Sequence, residues 1–442
     1  MSSWTETVIW WQVYPFGFVG AEQDALPPES AVEHRLPQLL PWLDYLVELG
    51  CNGLALNPVF ASESHGYDIV DHFVIDGRLG DDGDIDQLIG ACHDNGIRVL
   101  FDGVFNHVGR AFPGFVDVIA NGRESAWADW FDIDWDADGP DGFGYRTFEG
   151  HGGLVALNHE APAVADYVVS VMEHWLDRGI DGWRLDAAYA VPLPFWRSVT
   201  DRVRDRFPDA WFVGEVIHGE FGDWVSGGGL DSVTQYELWK SIWSSLNDGN
   251  FFELAWTLDR HRAFCRDFAP LTFVGNHDVT RIASKIEDAR QLPHALVVLF
   301  TVPGVPSIYY GDEQGFRGVK EDRVGGDDAV RPEFPADPSE LAPDGWPTYR
   351  LHQQLISLRR REPWLQHADL EVLEKANEQL VYRVSAGAEA SGAGAVTVIL
   401  NIADKEFATD LPGDVEVLAG EVLSRDGSAV VGGHGWAVVR SD

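Results

Sequence analysis

Ile180-Asp181-Gly182-Trp183-Arg184-Leu185-Asp186 is a short, mostly apolar run that ends on an arginine and an aspartate. It reads as a buried strand whose polar end emerges at one edge of a sheet. A helical pattern precedes it at residues 164–177, another follows at 194–207, and a further strand pattern occupies 210–216. Strand and helix in alternation imply a parallel sheet, because each crossover helix returns the chain to the same edge.

The same alternation extends outward in both directions. Strands are expected at 8–14, 51–59 and 97–105, with helices at 30–49 and 85–94. Beyond the quoted run, strands are expected at 233–238, 271–275 and 306–310, closed by a helix at 349–361. Eight such units predict a TIM (β/α)8 barrel formed by residues 1–107 and 159–362. The interruption at 108–158, rich in Asp, Gly and aromatics, reads as a small excursion domain after the third strand. From 363 to 442 the pattern changes to short runs such as 380–384 and 395–400, which predict a C-terminal antiparallel β domain. The small-residue segment 386–394 reads as a loose loop within it.

A chain of 442 residues accommodates a barrel and one smaller domain. Hydrophobic residues at 45% and charged residues at 23% are ordinary globular values. The longest apolar stretch, 295–310, is broken by Pro303, Gly304 and Pro306, so it reads as helix, turn and strand rather than a membrane span. Residues 1–13 show no basic segment ahead of an apolar core, so no signal peptide is expected. Cys51, Cys92 and Cys265 are widely spaced and suit reduced, buried thiols. Both features point to a cytoplasmic location.

The net charge of -39 excludes nucleic acid and anionic membranes as natural partners and favours a neutral substrate. Lysine occurs at only Lys240, Lys285, Lys320, Lys375 and Lys405. Either high-salt adaptation or a GC-rich genome would produce that bias. No feature of the sequence sets an oligomeric state.

Barrel chemistry sits at the C-terminal ends of the strands. The third strand ends in Asp102-Gly103-Val104-Phe105-Asn106-His107, the fourth in Arg184-Leu185-Asp186, the fifth in Gly214-Glu215-Val216, and the seventh in Gly275-Asn276-His277-Asp278. Asp186, Glu215 and Asp278 therefore converge on one mouth with His107, His277 and Arg184. Paired carboxylates are what cleavage of a glycosidic bond needs, one protonating the leaving oxygen while the other attacks or stabilises the anomeric carbon. Arg184 lies two residues before Asp186 on one strand, faces the same side, and is placed to keep that carboxylate ionised.

These four motifs resemble the signature regions of the α-amylase family of retaining glycoside hydrolases, in identity, order and spacing. The resemblance covers most of the chain. It implies Asp186 as nucleophile, Glu215 as general acid/base, and Asp278 as the carboxylate that orients the sugar and stabilises the transition state. It further implies substrate-binding roles for Asp102, His107, Arg184 and His277. Gly66-Tyr67-Asp68 resembles the segment whose tyrosine stacks on the sugar being cleaved. Asp327 and Arg331 resemble the Asp and Arg supplied to that subsite after the eighth strand.

No cofactor is required by the resemblance, although Asn106 occupies a position that binds calcium in many relatives. Asp134-Trp135-Asp136-Ala137-Asp138-Gly139 copies the start of an EF-hand loop, but Tyr145 stands where the loop would need Glu. A solvated turn is the expected outcome. Trp127, Trp130, Phe131 and Trp135 are equally suited to packing and to stacking on sugars.

Substrate choice is where the resemblance narrows. Many α-amylases place Lys and His three and four residues after the nucleophile, where this chain has Tyr189 and Ala190. His277-Asp278-Val279-Thr280-Arg281-Ile282 is similar to cyclomaltodextrinase and neopullulanase types. The extra N-terminal β domain usual in those types is not expected, because the first strand begins by about Val8. The reading is a hydrolase acting on short or cyclic α-glucan oligosaccharides, with Tyr189 on the leaving-group side. A transglucosylase or isomerase using the same site is the alternative, since a sugar hydroxyl can take the covalent intermediate as water does. A non-catalytic binding module on the same barrel has no need of a nucleophile.

Overall fold

The structure, a computed structural model, describes residues 3–27, 29–323, 325–386, 394–411, 415–425 and 428–441. Most of the expected loose loop, residues 387–393, lies outside the described residues.

Eight parallel strands form the barrel: β1 Trp10–Val13, β2 Gly53–Leu56, β3 Arg98–Gly103, β4 Gly182–Leu185, β5 Trp211–Gly214, β6 Ser232–Val233, β7 Leu271–Phe273 and β8 Val305–Tyr309. They pair in the order β6-β5-β4-β3-β2-β1-β8-β7. A parallel bridge between Thr234 and Leu271 joins the two ends of that row. The Gln235 amide donates to the Leu271 carbonyl at 2.9 Å at the same point.

Alternation along β1 shows how the barrel is filled. Trp10 points inward and stacks on Trp211 of β5 at 5.6 Å, in a cluster with Val8, Leu100, Val213, Ala269 and Val305. Trp11 points outward and stacks on Trp42 at 6.3 Å, within the layer between strands and helices. Gln12, inward again, sits higher and reaches Asn57 at 3.2 Å, so apolar filling gives way to polar groups towards the mouth.

Two expected elements differ from the structure. The helix expected at 30–49 is an α-helix only over Pro41–Leu49, preceded by a 3-10 turn at Leu36–Leu39. Pro37 and Pro41 explain this, since proline starts a helix readily but interrupts its interior. The strand expected at 233–238 stops at Val233, and a helix begins at Tyr236. Gln235 caps that helix by accepting from the Leu238 amide at 3.3 Å.

The insertion is pinned at its base by antiparallel pairing of His107–Gly109 with Leu154–Ala156. Its Asp134 run forms a turn beside the two-residue strands Ile133–Asp134 and Gly144–Tyr145, and the Asp134 carboxylate accepts from the Asp136 amide. The C-terminal region forms a five-stranded and a three-stranded antiparallel sheet, starting at Asp369. Arg262 fastens the larger sheet to the barrel through paired hydrogen bonds to Asp369 at 2.5 and 2.6 Å. Cys51 and Cys92 are buried, Cys265 is half-buried, and all three are free thiols. Among the described residues no helix is long and apolar enough to cross a membrane.

Candidate active site

Arg184, near the end of β4, is the hub of the barrel mouth. Its Nη1 donates to both carboxylate oxygens of Asp102 at 2.7 and 2.6 Å and to Asp186 at 3.2 Å. Its Nη2 pairs with Glu215 Oε1 at 2.8 Å. One buried guanidinium thus gathers carboxylates from the neighbouring strands β3, β4 and β5, which offsets the cost of burying them.

Glu215 is held from two further directions. The Ala187 amide donates to its Oε2 at 3.0 Å, and the Tyr236 hydroxyl donates to its Oε1 at 3.1 Å. Ala187 adopts a left-handed φ of 45°, unusual for a residue with a side chain, immediately after Asp186. That turn aims its N–H at Glu215.

Asp278 lies across the mouth, paired with His277 at 2.9 Å and with Arg331 at 3.0 Å. Asn276 shapes the turn, accepting from the Asp278 amide at 2.9 Å while donating to the Tyr236 hydroxyl at 2.9 Å. Gly275 precedes it because a Cβ there would lie 2.1 Å from a carboxylate oxygen of Asp312.

The two carboxylates differ electrically. Burial pushes Asp186 well above the usual carboxylate range, Glu215 adds to this by like-charge repulsion, and Arg184 opposes both. The expectation that Arg184 keeps Asp186 ionised therefore meets a stronger opposing pull. Burial also pushes Asp278 upward, but His277, Arg331 and Arg184 outweigh it and hold that carboxyl well below its ordinary value.

The remaining expected residues fall around the same mouth. The Tyr67 hydroxyl donates to Asp102 at 3.0 Å and contacts His277, on which its ring stacks at 5.4 Å. Both ring nitrogens of His107 are occupied, by the Tyr67 carbonyl at 3.1 Å and the Asn106 amide at 3.0 Å, and burial lowers its pKa to about 3. Its ring face lies 4.8 Å from Phe148. Asp327 pairs with Arg331 at 3.0 Å and with Lys320 at 3.3 Å. The Tyr189 hydroxyl donates to Glu149 of the insertion at 2.8 Å. Tyr67, His107, Phe148, Glu149, Asp186, Tyr189, Glu215, Asp278, Asp327 and Arg331 all line one cavity of ≈ 540 Å³.

Trp127 and Trp130 pack on each other at 4.3 Å and on Phe112, away from that cavity. Phe131 is buried. Phe148, which the composition of the insertion did not single out, is the aromatic that reaches the cleft. Asn57 is a second addition: its amide donates to Tyr67 at 2.9 Å and Asp102 at 3.0 Å. Tyr236 is a third. Both sit just past the ends of β2 and β6, so inspecting all eight strand ends for uncharged polar groups would have found them.

Asn106 is buried beside His107, and among the described residues no group of His, Cys, Asp or Glu close enough to hold a metal lies there. The group of potential ligands close enough for a metal among the described residues is His34, Asp81 and Asp84. That group is already used: His34 pairs with Asp84 at 2.6 Å, and Asp81 and Asp84 cap the helix Asp82–Asp94.

Asp186 and Glu215 on one guanidinium, Glu215 held by three donors, and Asp278 in the same cleft suit cleavage at an acetal carbon. That chemistry is glycoside hydrolysis and places the protein among the barrel glycosidases. The chain belongs to the α-amylase family, whose catalytic domain ("Alpha amylase, catalytic domain") matches residues 12–346.

A cyclomaltodextrinase of a Bacillus species is 33% identical over 406 residues, covering 86% of this chain and 71% of its own length. A maltogenic α-amylase of Bacillus acidopullulyticus is 33% identical over 339 residues, covering 72% of this chain. The match spans only 58% of that relative, less than two thirds. Among solved structures, the cyclic α-maltosyl-(1→6)-maltose hydrolase of Arthrobacter globiformis, in complex with that sugar, superposes with a TM-score of 0.82. It is 25% identical and covers 99% of both chains.

Proposed function

We propose that the protein is an intracellular hydrolase that cleaves α-glucosidic bonds in short or cyclic α-glucans with retention of configuration. Asp186 attacks the anomeric carbon, forming a glycosyl ester, while Glu215 protonates the departing oxygen. Glu215 then takes a proton from water, which releases the sugar and restores Asp186. Asp278 and its partners His277 and Arg331 hold the sugar undergoing attack.

The observation that carries this reading is the single guanidinium of Arg184 touching both Asp186 and Glu215 in one cleft. The preference for short or cyclic substrates rests on Tyr189. It presents one aromatic face where polymer-cleaving relatives place Lys and His, and Glu149 ties it to the insertion. Such a wall stacks on a sugar but supplies little hydrogen-bond register along a polymer. An intracellular location agrees, because imported oligosaccharides rather than starch are met there.

The test is kcat/KM on maltose, maltotriose, panose, isomaltose, cyclodextrins and soluble starch, with the anomer of the first product read by NMR. The expected result is an α-anomer and higher kcat/KM on the small substrates, with Tyr189→Ala impairing them. A tenfold preference for starch would sink the substrate reading. A β-anomer as first product would sink the retaining mechanism.

A further inference from the structure

The ring of His277 is fully buried beside Asp278, and stacking sets its plane. Tyr14 and Tyr67 lie parallel to it at interplanar angles of 1° and 2°, with ring centroids at 6.4 and 5.4 Å. Stacked faces hold the plane of an imidazole but do not choose which nitrogen carries its proton. That choice belongs to the groups meeting the ring nitrogens.

Nε2 meets acceptors. Asp278 Oδ2 lies 2.9 Å from it, and a carboxylate paired with Arg331 accepts hydrogen bonds without donating any. The Tyr67 hydroxyl is the other contact of Nε2. It spends its one proton on Asp102 at 3.0 Å, so towards the ring it can only accept. Both contacts require a proton on Nε2.

Nδ1 meets a donor whose orientation can be traced back to a carboxylate. Asp102, gripped through both oxygens by Arg184, only accepts. Asn57 therefore turns its Nδ2 to Asp102 at 3.0 Å and to the Tyr67 hydroxyl oxygen at 2.9 Å, which uses both of its protons. Its Nδ2 also lies 3.2 and 3.4 Å from the two ring nitrogens of His277, with no proton left for either. With Asn57 so oriented, its Oδ1 accepts from Gln12 Nε2 at 3.2 Å. The second proton on Gln12 Nε2 meets His277 Nδ1, also at 3.2 Å, so Nδ1 presents its lone pair.

We infer that Gln12, at the end of β1, is a positioning residue that fixes His277 as the tautomer protonated on Nε2 and so keeps an N–H on Asp278. The inference rests on the glycosidase reading above, in which Asp278 holds the sugar undergoing attack. Arg331 takes the other Asp278 oxygen at 3.0 Å, so each oxygen of that carboxylate has its own donor. In the opposite tautomer Nε2 would set a lone pair against Asp278, and the Nδ1 proton would point at the amide protons of Gln12. Gln12 and His277 both stand behind the residues that line the cleft, and Gln12 therefore acts on the sugar through His277 and Asp278.

The experiment is long-range ¹H–¹⁵N NMR of the imidazole nitrogens in the ¹⁵N-labelled wild type, Gln12→Met and Gln12→Glu, with His277→Asn identifying the His277 signals. The wild type should carry its proton on Nε2. Gln12→Met keeps the length and removes the donor, so the Nδ1 resonance should move towards that of an unbonded ring nitrogen. Gln12→Glu sets an acceptor in the same volume, so a proton should appear on Nδ1. On maltotriose kcat/KM should fall about threefold in Gln12→Met and about tenfold or more in Gln12→Glu, as loss and then reversal of one buried hydrogen bond predict. Gln12→Met decides the matter alone if Gln12→Glu does not fold by circular dichroism. A wild-type proton on Nδ1, an unmoved Nδ1 resonance in Gln12→Met, or wild-type kcat/KM in the folded variants would overturn the inference. A wild type that cleaves no α-glucan would overturn the glycosidase reading, whereas the tautomer is read without substrate and is decided separately.

Discussion

The Tyr236 hydroxyl donates to Glu215 Oε1 at 3.1 Å, and it does so while accepting from Asn276. Asn276 in turn carries the Asp278 turn. Glu215, the proposed acid, and the Asp278 turn are therefore linked through one phenol. Tyr236→Phe keeps the ring and removes the link. Its kcat on natural glycosides, which need protonation of the leaving oxygen, should fall about ten- to a hundredfold. On an aryl glycoside with a good leaving group the loss should be severalfold smaller. Equal losses on both substrates would assign Tyr236 a purely structural role.

Asp186→Asn cannot form a glycosyl ester, so turnover should fall on the order of 10⁴-fold or more with the fold intact by circular dichroism. Glu215→Gln should still be glycosylated by a substrate with a good leaving group, and added azide should speed release of the trapped sugar as a glycosyl azide. Near-wild-type activity in the first variant, or no azide effect in the second, would reassign the residues.

Glu313 is buried just past β8, where Tyr45, Trp11 and the Gly311 amide donate to it at 3.0, 3.3 and 2.9 Å. Burial nonetheless raises its pKa from 4.5 to about 7. A raised carboxyl pKa means that the folded state holds the proton more tightly. The associated stability is present in full below pH 4.5 and is lost as pH rises towards 7. The change is on the order of 3 kcal/mol. Glu313→Gln should remove this component, so the difference in unfolding free energy between wild type and variant should slope across pH 4.5 to 7. A flat difference would show that the group does not titrate there.

The charge of -39 predicts a salt response. If it reflects adaptation to salt, screening of self-repulsion should raise Tm between low and molar NaCl. An unchanged or lower Tm would favour genome composition as its origin.

The strand-end carboxylates were legible in the sequence because each combines a charge with an apolar run, and a barrel brings such ends together. Asn57 and Tyr236 carry no charge and escaped that filter. The helix start at Pro41 was missed because the apolar period continues across Pro37, where backbone restriction overrides it. Tyr189–Glu149 and Gln23–Asp328 join residues 40 and 305 positions apart, and no local pattern encodes such pairs.

The closure between β6 and β7 rests on a two-residue strand and one bridging pair, Thr234 with Leu271, whereas β1 aligns four residues with β2. This makes the line between them a seam, the place where the cylinder would unzip first. The Tyr236–Asn276 hydrogen bond crosses the same seam from above. A sugar gripped between Glu215 and Asp278 would act as a staple across it, so amide hydrogens along Thr234, Gln235 and Leu271 should exchange more slowly once the cleft is filled. Catalytic readiness and the tightness of the cylinder would then rise and fall together.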